Sequence, residues 1–472
     1  MRTRVVIIAI IALIAADLGT TWFLAQAERT QEALMWGKVE EQSHGMLKVV
    51  STKIDSHFFT ASEDIKLQIN NPIVGALFSQ DKEHSSCAAE ISLHNDIAFG
   101  PLPKFRSVGV ARIETTVLLS DELRKKLVES IGTDKPLQFI STLGFTGNSR
   151  LDIVSAAVTI RPKDENESGE WKGGSISFNT SKSMDASNFE GHFPGLIINA
   201  KNKTSVNVDD MSLTGSVQRK FDVLFTGEET FSIGNVSTSS SQNAAENISA
   251  KNLSYGFKSS ADDQFMNIGL NMNSGALVSK EYNVKEVHFS LGGKHLDAKA
   301  LAALYKVYND VQTKAMASVC QSGQSANATP PDGSTADADK PDFEAIKQRT
   351  TTALLTLLQH SPVLALDNIS FATTDGALKF IGSATIDGVE ESDLTPEVQY
   401  KTLLGKLSAQ ADFAIDQALI DHWPVKEDPE KFKQQISALE SQGFLLRKGT
   451  KLESHIEYKG GKVTANGKPI GG

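Results

Sequence analysis

The sequence predicts a mainly β protein of the α+β type: an N-terminal transmembrane helix followed by a large antiparallel, meander-rich sheet assembly with a few packed helices. Three observations predict this fold class. A long apolar run follows two arginines at the N-terminus, apolar and polar residues alternate with period two through much of the chain, and short glycine turns separate the alternating segments. Hydrophobic residues make up 40% of the chain, which is enough for a sizeable core.

The apolar run extends from Val5 to Ala27, 23 residues in which Asp17 is the single charge. As a helix it would rise about 35 Å, enough to cross a hydrocarbon core of about 30 Å. Asp17 costs on the order of 3 kcal/mol near the helix centre, and each Ile or Leu returns about half a kcal/mol. The run therefore predicts a single-pass anchor, and Arg2 and Arg4 hold its N-terminus in the cytoplasm.

A cleaved signal peptide is the competing interpretation of the same segment. Ala25, Gln26 and Ala27 form a small-x-small cleavage site, but a long gap separates it from the end of the apolar block at Ala16. We favour the anchor. Both interpretations place the body of the chain across the membrane, the second as a soluble protein after cleavage behind Ala27.

Strands and hairpin turns are predicted from local patterns. Two segments place every second residue on an apolar face: Ile113, Thr115, Val117 and Leu119 in the first, and Val287, Phe289 and Leu291 in the second. The pairs Asp375–Gly376 and Gly460–Gly461 lie between apolar segments and predict tight hairpin turns. These patterns are typical of antiparallel sheets with one wet face.

Two short helices are predicted from the residues at their ends. The first runs from Ser120 to Ile131 and stops at Gly132. The second runs from Pro429 to Gln442, with Asp428 as its N-cap and Gly443 after it.

A low-complexity segment, residues 321–340, is rich in Ser, Ala, Asp, Gly and Pro and predicts a flexible linker, because such a composition buries too little apolar surface to order itself. The predicted organisation is a membrane segment (1–27), a β-rich region ending in a helix (28–320), the linker (321–340), and a helix followed by a second β-rich region (341–472). The linker either joins two helices of one unit or separates two independent domains.

Helical spacing on both sides of the linker predicts the two flanking helices, one behind Asp297 and one behind Asp342. Their predicted apolar stripes are Leu301, Leu304, Tyr305, Tyr308 and Val311 in the first, and Phe343, Ile346, Leu354, Leu357 and Leu358 in the second.

Charge and cysteine content exclude several classes of site. The formal net charge of -10 repels phosphate backbones, so no nucleic-acid partner is predicted. Cys87 and Cys320 are the two cysteines, too few for a disulfide framework or a thiolate metal site. In an oxidising compartment they could form one bridge, although two free or buried thiols are the favoured prediction.

The search for catalytic chemistry predicts no catalytic, cofactor-binding or metal-ligating residues and no enzyme activity. The ten histidines are scattered, without a pair at i, i+4 spacing, and no cofactor is indicated. Gly173–Gly174 follows a strand-like segment and is interpreted as a turn rather than a phosphate-binding loop.

Two polar groups attract more specific interpretations. Glu390, Glu391 and Asp393 could bind Ca²⁺ or do acid–base work, but their loop setting favours a solvated turn. His94 precedes the rigid segment Gly100–Pro103 and is interpreted as an exposed strand residue.

Several segments, taken in order along nearly the whole chain, resemble the YdgA-like family of bacterial envelope proteins of unknown function. The chain departs from the family pattern at Phe99, where members often carry His, and at the polar linker. The resemblance implies a non-enzymatic inner-membrane protein with a periplasmic β-rich body, and it is compatible with a homodimer. The segments that carry it are the N-terminal anchor, Lys53–Ser62, Gly100–Pro103, Trp171-x-Gly173, Leu301–Tyr308 and Asn466–Ile470.

Two functions are consistent with this architecture. In the first, an amphipathic sheet binds lipid or another hydrophobic envelope component, since the predicted helices are too few to cover all the strands. In the second, the sheet is a structural or interaction module that pairs with a copy of itself or with a partner. An apolar surface lined continuously by Ile, Leu, Val and Phe favours the first.

Overall fold

The chain forms two compact units, unit 1 (residues 1–200 and 306–346) and unit 2 (residues 201–305 and 347–472). The computed structural model describes residues 47–56, 60–70, 88–99, 102–161, 167–183, 185–200, 204–221, 223–242, 247–280, 283–324, 343–394, 400–422 and 429–470. Both units are built mainly from antiparallel strands, which confirms the mainly β prediction.

Unit 1 is a sheet in which β1 to β6 pair in sequence order, each antiparallel to the next. Strand β9 then lies between β6 and β10, and β8 lies between β7 and β10. The strands are β1 (Leu47–Ser56), β2 (Thr60–Asn70), β3 (Ala88–Phe99), β4 (Ala111–Leu118), β5 (Leu137–Leu143), β6 (Ser149–Ser155), β7 (Val158–Ile160), β8 (Ser168–Trp171), β9 (Gly174–Thr180) and β10 (Ala186–Asn199).

The core of unit 1 comes from alternate residues of these strands, as the period-two pattern predicts. Ile65, Leu67 and Leu151 are at most 1% exposed and belong to one cluster of buried aliphatic side chains. In β4, Ile113 and Thr115 are buried and Val117 packs against the cluster, which confirms the predicted alternation, while Leu119 lies beyond the strand end.

Gly173–Gly174 does not reverse the chain, so the predicted turn is wrong. Strands β8 and β9 continue in one direction along β10, and the two glycines interrupt them opposite the break between β6 and β7. Gly173 has φ 82°, and a Cβ there would lie 3.0 Å from the Ser155 carbonyl oxygen. The glycines therefore form a kink within paired strands. A local sequence pattern cannot distinguish such a kink from a turn.

Unit 2 consists of antiparallel strands in the order β11-β12-β13-β14-β16-β17-β18-β19-β21-β22-β23. Strand β15 continues β14 between β13 and β16, and β20 pairs with β21. The strands are β11 (Thr204–Phe221), β12 (Leu224–Ser240), β13 (Ile248–Ala261), β14 (Phe265–Ser274), β15 (Ala276–Ser279), β16 (Asn283–Asp297), β17 (Val363–Thr373), β18 (Ala377–Ile386), β19 (Leu407–Asp416), β20 (Leu446–Lys448), β21 (Lys451–Lys459), β22 (Lys462–Ala465) and β23 (Lys468–Pro469).

Both predicted hairpin turns are confirmed. Asp375–Gly376 connects β17 to β18, where the Thr373 amide donates to the Gly376 carbonyl over 2.8 Å. Gly460 and Gly461 connect β21 to β22 with φ 57° and 78°, the positive values that a two-residue hairpin of type I′ requires.

Six α-helices and two 3-10 turns lie among the described residues. The predicted helices at 120–131 and 429–442 are confirmed: Ser120 caps the first, and Gly132 ends it with φ 79°. Asp297 also acts as predicted, because its Oδ1 accepts from the Ala300 amide over 2.8 Å. The helices are α1 (Asp121–Ile131), α2 (Ala298–Gln324), α3 (Phe343–Gln359), α4 (Tyr400–Lys406), α5 (Gln417–Asp421) and α6 (Pro429–Gln442); the 3-10 turns are Pro103–Phe105 and Glu391–Leu394.

The apolar stripe predicted on α2 is partly wrong. Tyr305, Tyr308 and Val311 are exposed, whereas Val307 and Ala300 are buried. The sequence pattern located the helix correctly but predicted the wrong residues for its buried face. Only tertiary contacts decide which side of a weakly amphipathic helix is buried.

Several predictions fall outside the described residues. These are the membrane segment 5–27, Cys87, most of the linker 321–340, and the caps Asp342 and Asp428. No helix within the described ranges is both long and apolar enough to cross a bilayer. The predicted anchor, linker, domain division and unbridged cysteines therefore stay predictions.

Candidate functional site

A row of eight apolar side chains crosses unit 2 from β11 to β19. Each member lies directly opposite the next on the neighbouring strand, and directly opposed residues of antiparallel strands point to the same face. Five of the eight are aromatic. The row is Leu213, Phe231, Tyr255, Met272, Phe289, Ile369, Phe380 and Phe413.

A second row on the same face widens this surface in the middle of the sheet. Its members lie opposite one another on β13, β14, β16 and β17: Phe257, Leu270, Leu291 and Leu366. The first three lie two residues along their strands from members of the first row. Leu366 is separated from Ile369 by a bulge at Asp367. We call the surface formed by the two rows the apolar face of unit 2.

The opposite side of the same strands is polar. The row next to the first apolar row contains Ser232, Ser254, Asn273, His288 and Ser370, again in direct register. Its members bond to one another: Asn273 Nδ2 donates to Ser254 Oγ over 3.2 Å, and His288 Nδ1 lies 2.8 Å from Asn273 Oδ1. The sheet of unit 2 is therefore amphipathic across these five strands.

Packed helices cover the β19 end of the apolar face. Phe413 packs on a buried cluster that includes Leu419 of α5 and Leu452, and Phe432 and Ile436 of α6 contact the same cluster. A separate cluster lies outside the two rows, where Ala298 and Leu301 of α2 pack on Met266 of β14 and Leu224 of β12. The helices thus bury the β19 end of the face.

The middle of the apolar face is left accessible to solvent. Met272 is 50% exposed, Tyr255 38% and Phe257 37%, although all three lie on strands that are paired on both sides. By contrast, Leu151 on the core face of unit 1 is fully buried. Large apolar side chains that stay exposed in a contiguous patch are typical of surfaces that bind a hydrophobic ligand or a partner.

The residues weighed for catalysis do not converge. His94 lies on β3 with Nδ1 2.6 Å from Asp64 Oδ1 and Nε2 3.7 Å from Asp96 Oδ1, on an exposed face, as its interpretation as a strand residue predicts. Within the described ranges, no group of three or more His, Cys, Asp or Glu side chains has the geometry to hold a metal ion.

The acidic cluster is a structural turn. Asp393 forms an ion pair with Lys406 and its Oδ2 accepts from the Glu390 amide over 2.8 Å. The hydrogen bond from Lys406 and then the one from the Glu390 amide lower the pKa of Asp393 below its ordinary value. With its side chain 7% exposed and its charge neutralised, Asp393 stabilises the 3-10 turn at 391–394.

Sequence reasoning predicted an amphipathic sheet but did not identify the residues that form its apolar face. Each strand carries a local signal, such as the alternation of Val287, Phe289 and Leu291, which correctly predicts strand β16. Burial does not alternate there as predicted, because residues 287–291 are all half-buried. The alignment of eight strands into one row depends on cross-strand register, and partners such as Phe289 and Ile369 lie far apart in sequence.

Comparison with known families settles what the chain is related to. A family described as "Bacterial protein of unknown function (DUF945)" matches residues 2–471, almost the whole chain. The chain belongs to the DUF945 family. It is also similar to Protein YdgA of Escherichia coli (strain K12), with 21% identity over 407 residues that cover 80% of this chain and 76% of that protein. The resemblance to the YdgA-like family is thereby confirmed.

No solved structure matches this DUF945 chain. The family description names a bacterial protein without a known function, so the amphipathic sheet of unit 2 is the feature of this DUF945 member that bears on function.

Proposed function

We propose that this DUF945 protein is anchored in the bacterial inner membrane through residues 5–27 and that its periplasmic body binds the acyl chain of an envelope lipid on the apolar face of unit 2, without catalysis. The observation that supports lipid binding is the apolar row from Leu213 to Phe413, whose centre stays exposed around Met272. The charge pattern of the first residues supports the anchor.

The size and chemistry of the apolar face suit an extended hydrocarbon chain. Eight strands spaced about 4.8 Å apart span about 34 Å, so the row is longer than a typical acyl chain. Burying apolar surface stabilises a complex by about 25 cal/mol per Å². The side chains of the row are aromatic rings with Leu, Ile and Met, and the Tyr255 hydroxyl is their one hydrogen-bonding group, so the face discriminates mainly by hydrophobicity rather than by headgroup.

The first test is native mass spectrometry with lipid extraction on residues 28–472 purified from a bacterial periplasm. We expect stoichiometric lipid on the wild type. Met272→Glu places a charge at the centre of the face and should abolish co-purification, because burying an unpaired carboxylate against hydrocarbon is costly. Asn271→Glu is the matched control, since it adds the same charge one residue away on the polar side of β14, and it should retain lipid.

A lipid-free wild type would overturn the lipid-binding proposal. A lipid-free dimer would favour the alternative, an interaction module, for which the exposed Tyr305, Tyr308 and Val311 of α2 are the specific supporting observation. Placement is tested separately: a C-terminal reporter fusion active only in the cytoplasm would contradict both the anchor and the signal-peptide interpretation.

A further inference from the structure

Unit 1 contains a polar cavity of about 640 Å³ on the side of its sheet opposite the aliphatic core. A second polar row forms its floor, with one residue from each of five neighbouring strands. In order across β4, β5, β6, β9 and β10, the floor residues are Arg112, Thr142, Arg150, Asn179 and Asn188. Arg106 and Val108, which precede β4, and Asn148, which precedes β6, form part of the wall.

We propose that this cavity binds an anionic saccharide, a hydroxyl-rich ligand that carries a carboxylate or phosphate group. Three arginines and one carboxylate, Asp152, line the cavity in a protein whose formal net charge is -10. Guanidinium groups recognise carboxylate and phosphate through paired N–H donors, while amide and hydroxyl side chains match the hydroxyl groups of a sugar. The inference is independent of lipid binding, which concerns unit 2.

Neighbouring carboxylates hold the arginines in place. Glu114 Oε1 accepts from Arg112 Nε over 2.9 Å, and Asp152 Oδ1 accepts from Arg150 Nε over 2.9 Å. Burial acts to raise the pKa of Glu114, but hydrogen bonds from Lys104 and Arg112 outweigh it and lower that pKa. Glu114 accepts from Nε of Arg112, whose side chain is 12% exposed. The terminal nitrogens of Arg112 have no partner among the described residues and are available to a ligand.

An exposed aromatic residue directly precedes Arg106, which lines the cavity. Phe105 is 90% exposed, and both Lys104 and Phe105 have positive φ values, 50° and 56°, which non-glycine residues rarely adopt. The segment is nevertheless tied down, since the Phe105 amide donates to the Leu102 carbonyl over 3.0 Å and Lys104 Nζ pairs with Glu114 over 2.9 Å. Strain held in place at an exposed aromatic is typical of a binding segment.

The lining favours a sugar over a nucleotide or an acyl chain. A nucleobase needs an apolar or aromatic slot, and the apolar side chains of the described lining are only Val108 and Ala186. A cavity of this volume holds a ligand of about the size of a trisaccharide, within the range of about 300–1,000 Å³ found for small-molecule sites.

The test is calorimetric titration of the full chain, kept in solution with a detergent that has no sugar headgroup. The probes are trigalacturonate, glucose 1-phosphate and neutral maltotriose. We expect trigalacturonate or glucose 1-phosphate to bind, which identifies the anionic group as carboxylate or phosphate, and maltotriose to bind about tenfold more weakly because it lacks the charge-assisted contact.

Variants locate the site. Arg106→Ala should weaken binding of the anionic sugar about tenfold, and Phe105→Ser should weaken it as well. Both residues are exposed, so the fold tolerates these changes. Arg124→Ala is the matched control, an exposed arginine of the same unit on α1 that does not line the cavity, and it should bind as the wild type does. Failure of both anionic sugars to bind, equal binding of maltotriose, or an unaffected Arg106→Ala variant would overturn the proposal.

Discussion

Asn95 donates a hydrogen bond from Nδ2 to Glu63 Oε2 over 2.6 Å, directly across β3 and β2. Thr115, opposite Asn95 on β4, donates from Oγ1 to Asn95 Oδ1 over 2.7 Å. Asn95 is 1% exposed and Glu63 8%, so a buried polar row lies on the core face of unit 1. The adjacent rows contain Ile65 and Ile97, and a one-residue slip of β3 would break the polar row.

Replacement of Asn95 by Asp should destabilise the protein by about 3 kcal/mol or more at pH 7, because two carboxylates would then face each other in a buried site. The mutual repulsion raises a carboxyl pKa in the folded state. The loss of stability is therefore full above the raised folded pKa. It shrinks as the pH falls through that value and disappears below the unfolded pKa of about 4. Urea unfolding at pH 7 and pH 5 measures it. Asn199→Asp, the same change at an exposed strand position, is the control, and an equal loss there would contradict the explanation.

His455 should titrate above its ordinary value. Its Nδ1 lies 2.7 Å from Asp412 Oδ1 on the opposed strand, and its Nε2 lies 3.2 Å from Glu457 Oε1. The hydrogen bond to Asp412, and then the one to Glu457, raise the pKa of His455. NMR titration should give a midpoint above about 6.5, which Asp412→Asn lowers more than Glu457→Gln does. An unchanged midpoint in Asp412→Asn would contradict this assignment.

The same pair makes a small pH-dependent contribution to stability. Because the folded pKa of His455 is raised, the contribution is fully present below about pH 6.5 and is lost as the pH rises through the folded pKa. Solvent screening keeps it small, since the His455 side chain is 42% exposed. Urea unfolding of the wild type and of Asp412→Asn should therefore differ slightly at pH 6 and converge at higher pH.

Gly227→Ala should destabilise unit 2 by about 2 kcal/mol or more, since overpacking and a strained backbone act together. Gly227 has φ 146°, and a Cβ there would lie 1.9 Å from the Ser216 carbonyl oxygen on the paired strand β11. Gly269→Ala is the matched control in β14, where the nearest atom would be 3.9 Å away, and it should gain up to about 0.5 kcal/mol. Urea unfolding distinguishes the two, and equal effects would rule out the steric explanation.

Leu151→Ala should cost about 2–5 kcal/mol, because Leu151 is fully buried in the aliphatic cluster of unit 1 and its truncation leaves a cavity. Leu118→Ala, at a strand end with 44% exposure, should cost much less. Thermal and urea unfolding measure both changes, and similar losses for the two variants would be inconsistent with a core centred on Leu151.

Features that depend on neighbouring residues in the chain were predictable. Ser120 and Gly132 delimit α1, and Gly460–Gly461 forms a hairpin turn, because capping and positive φ depend on local chemistry. Predictions failed where local chemistry is ambiguous. Gly173–Gly174 forms a kink rather than a turn, and Tyr305 on α2 is exposed rather than buried. Both outcomes depend on paired strands and packing contacts from elsewhere in the chain.

By itself, the sequence determined the family resemblance, the mainly β class, two hairpin turns and the ends of α1 and α6, all of which follow from composition and short-range pattern. Only the tertiary structure decided that Leu213 and Phe413 belong to one apolar row, and that Arg112 and Asn188 share the floor of one cavity. Cross-strand register creates both surfaces, and register is a cooperative choice among strands distant in sequence, fixed by the side chains that face one another once the sheet has formed.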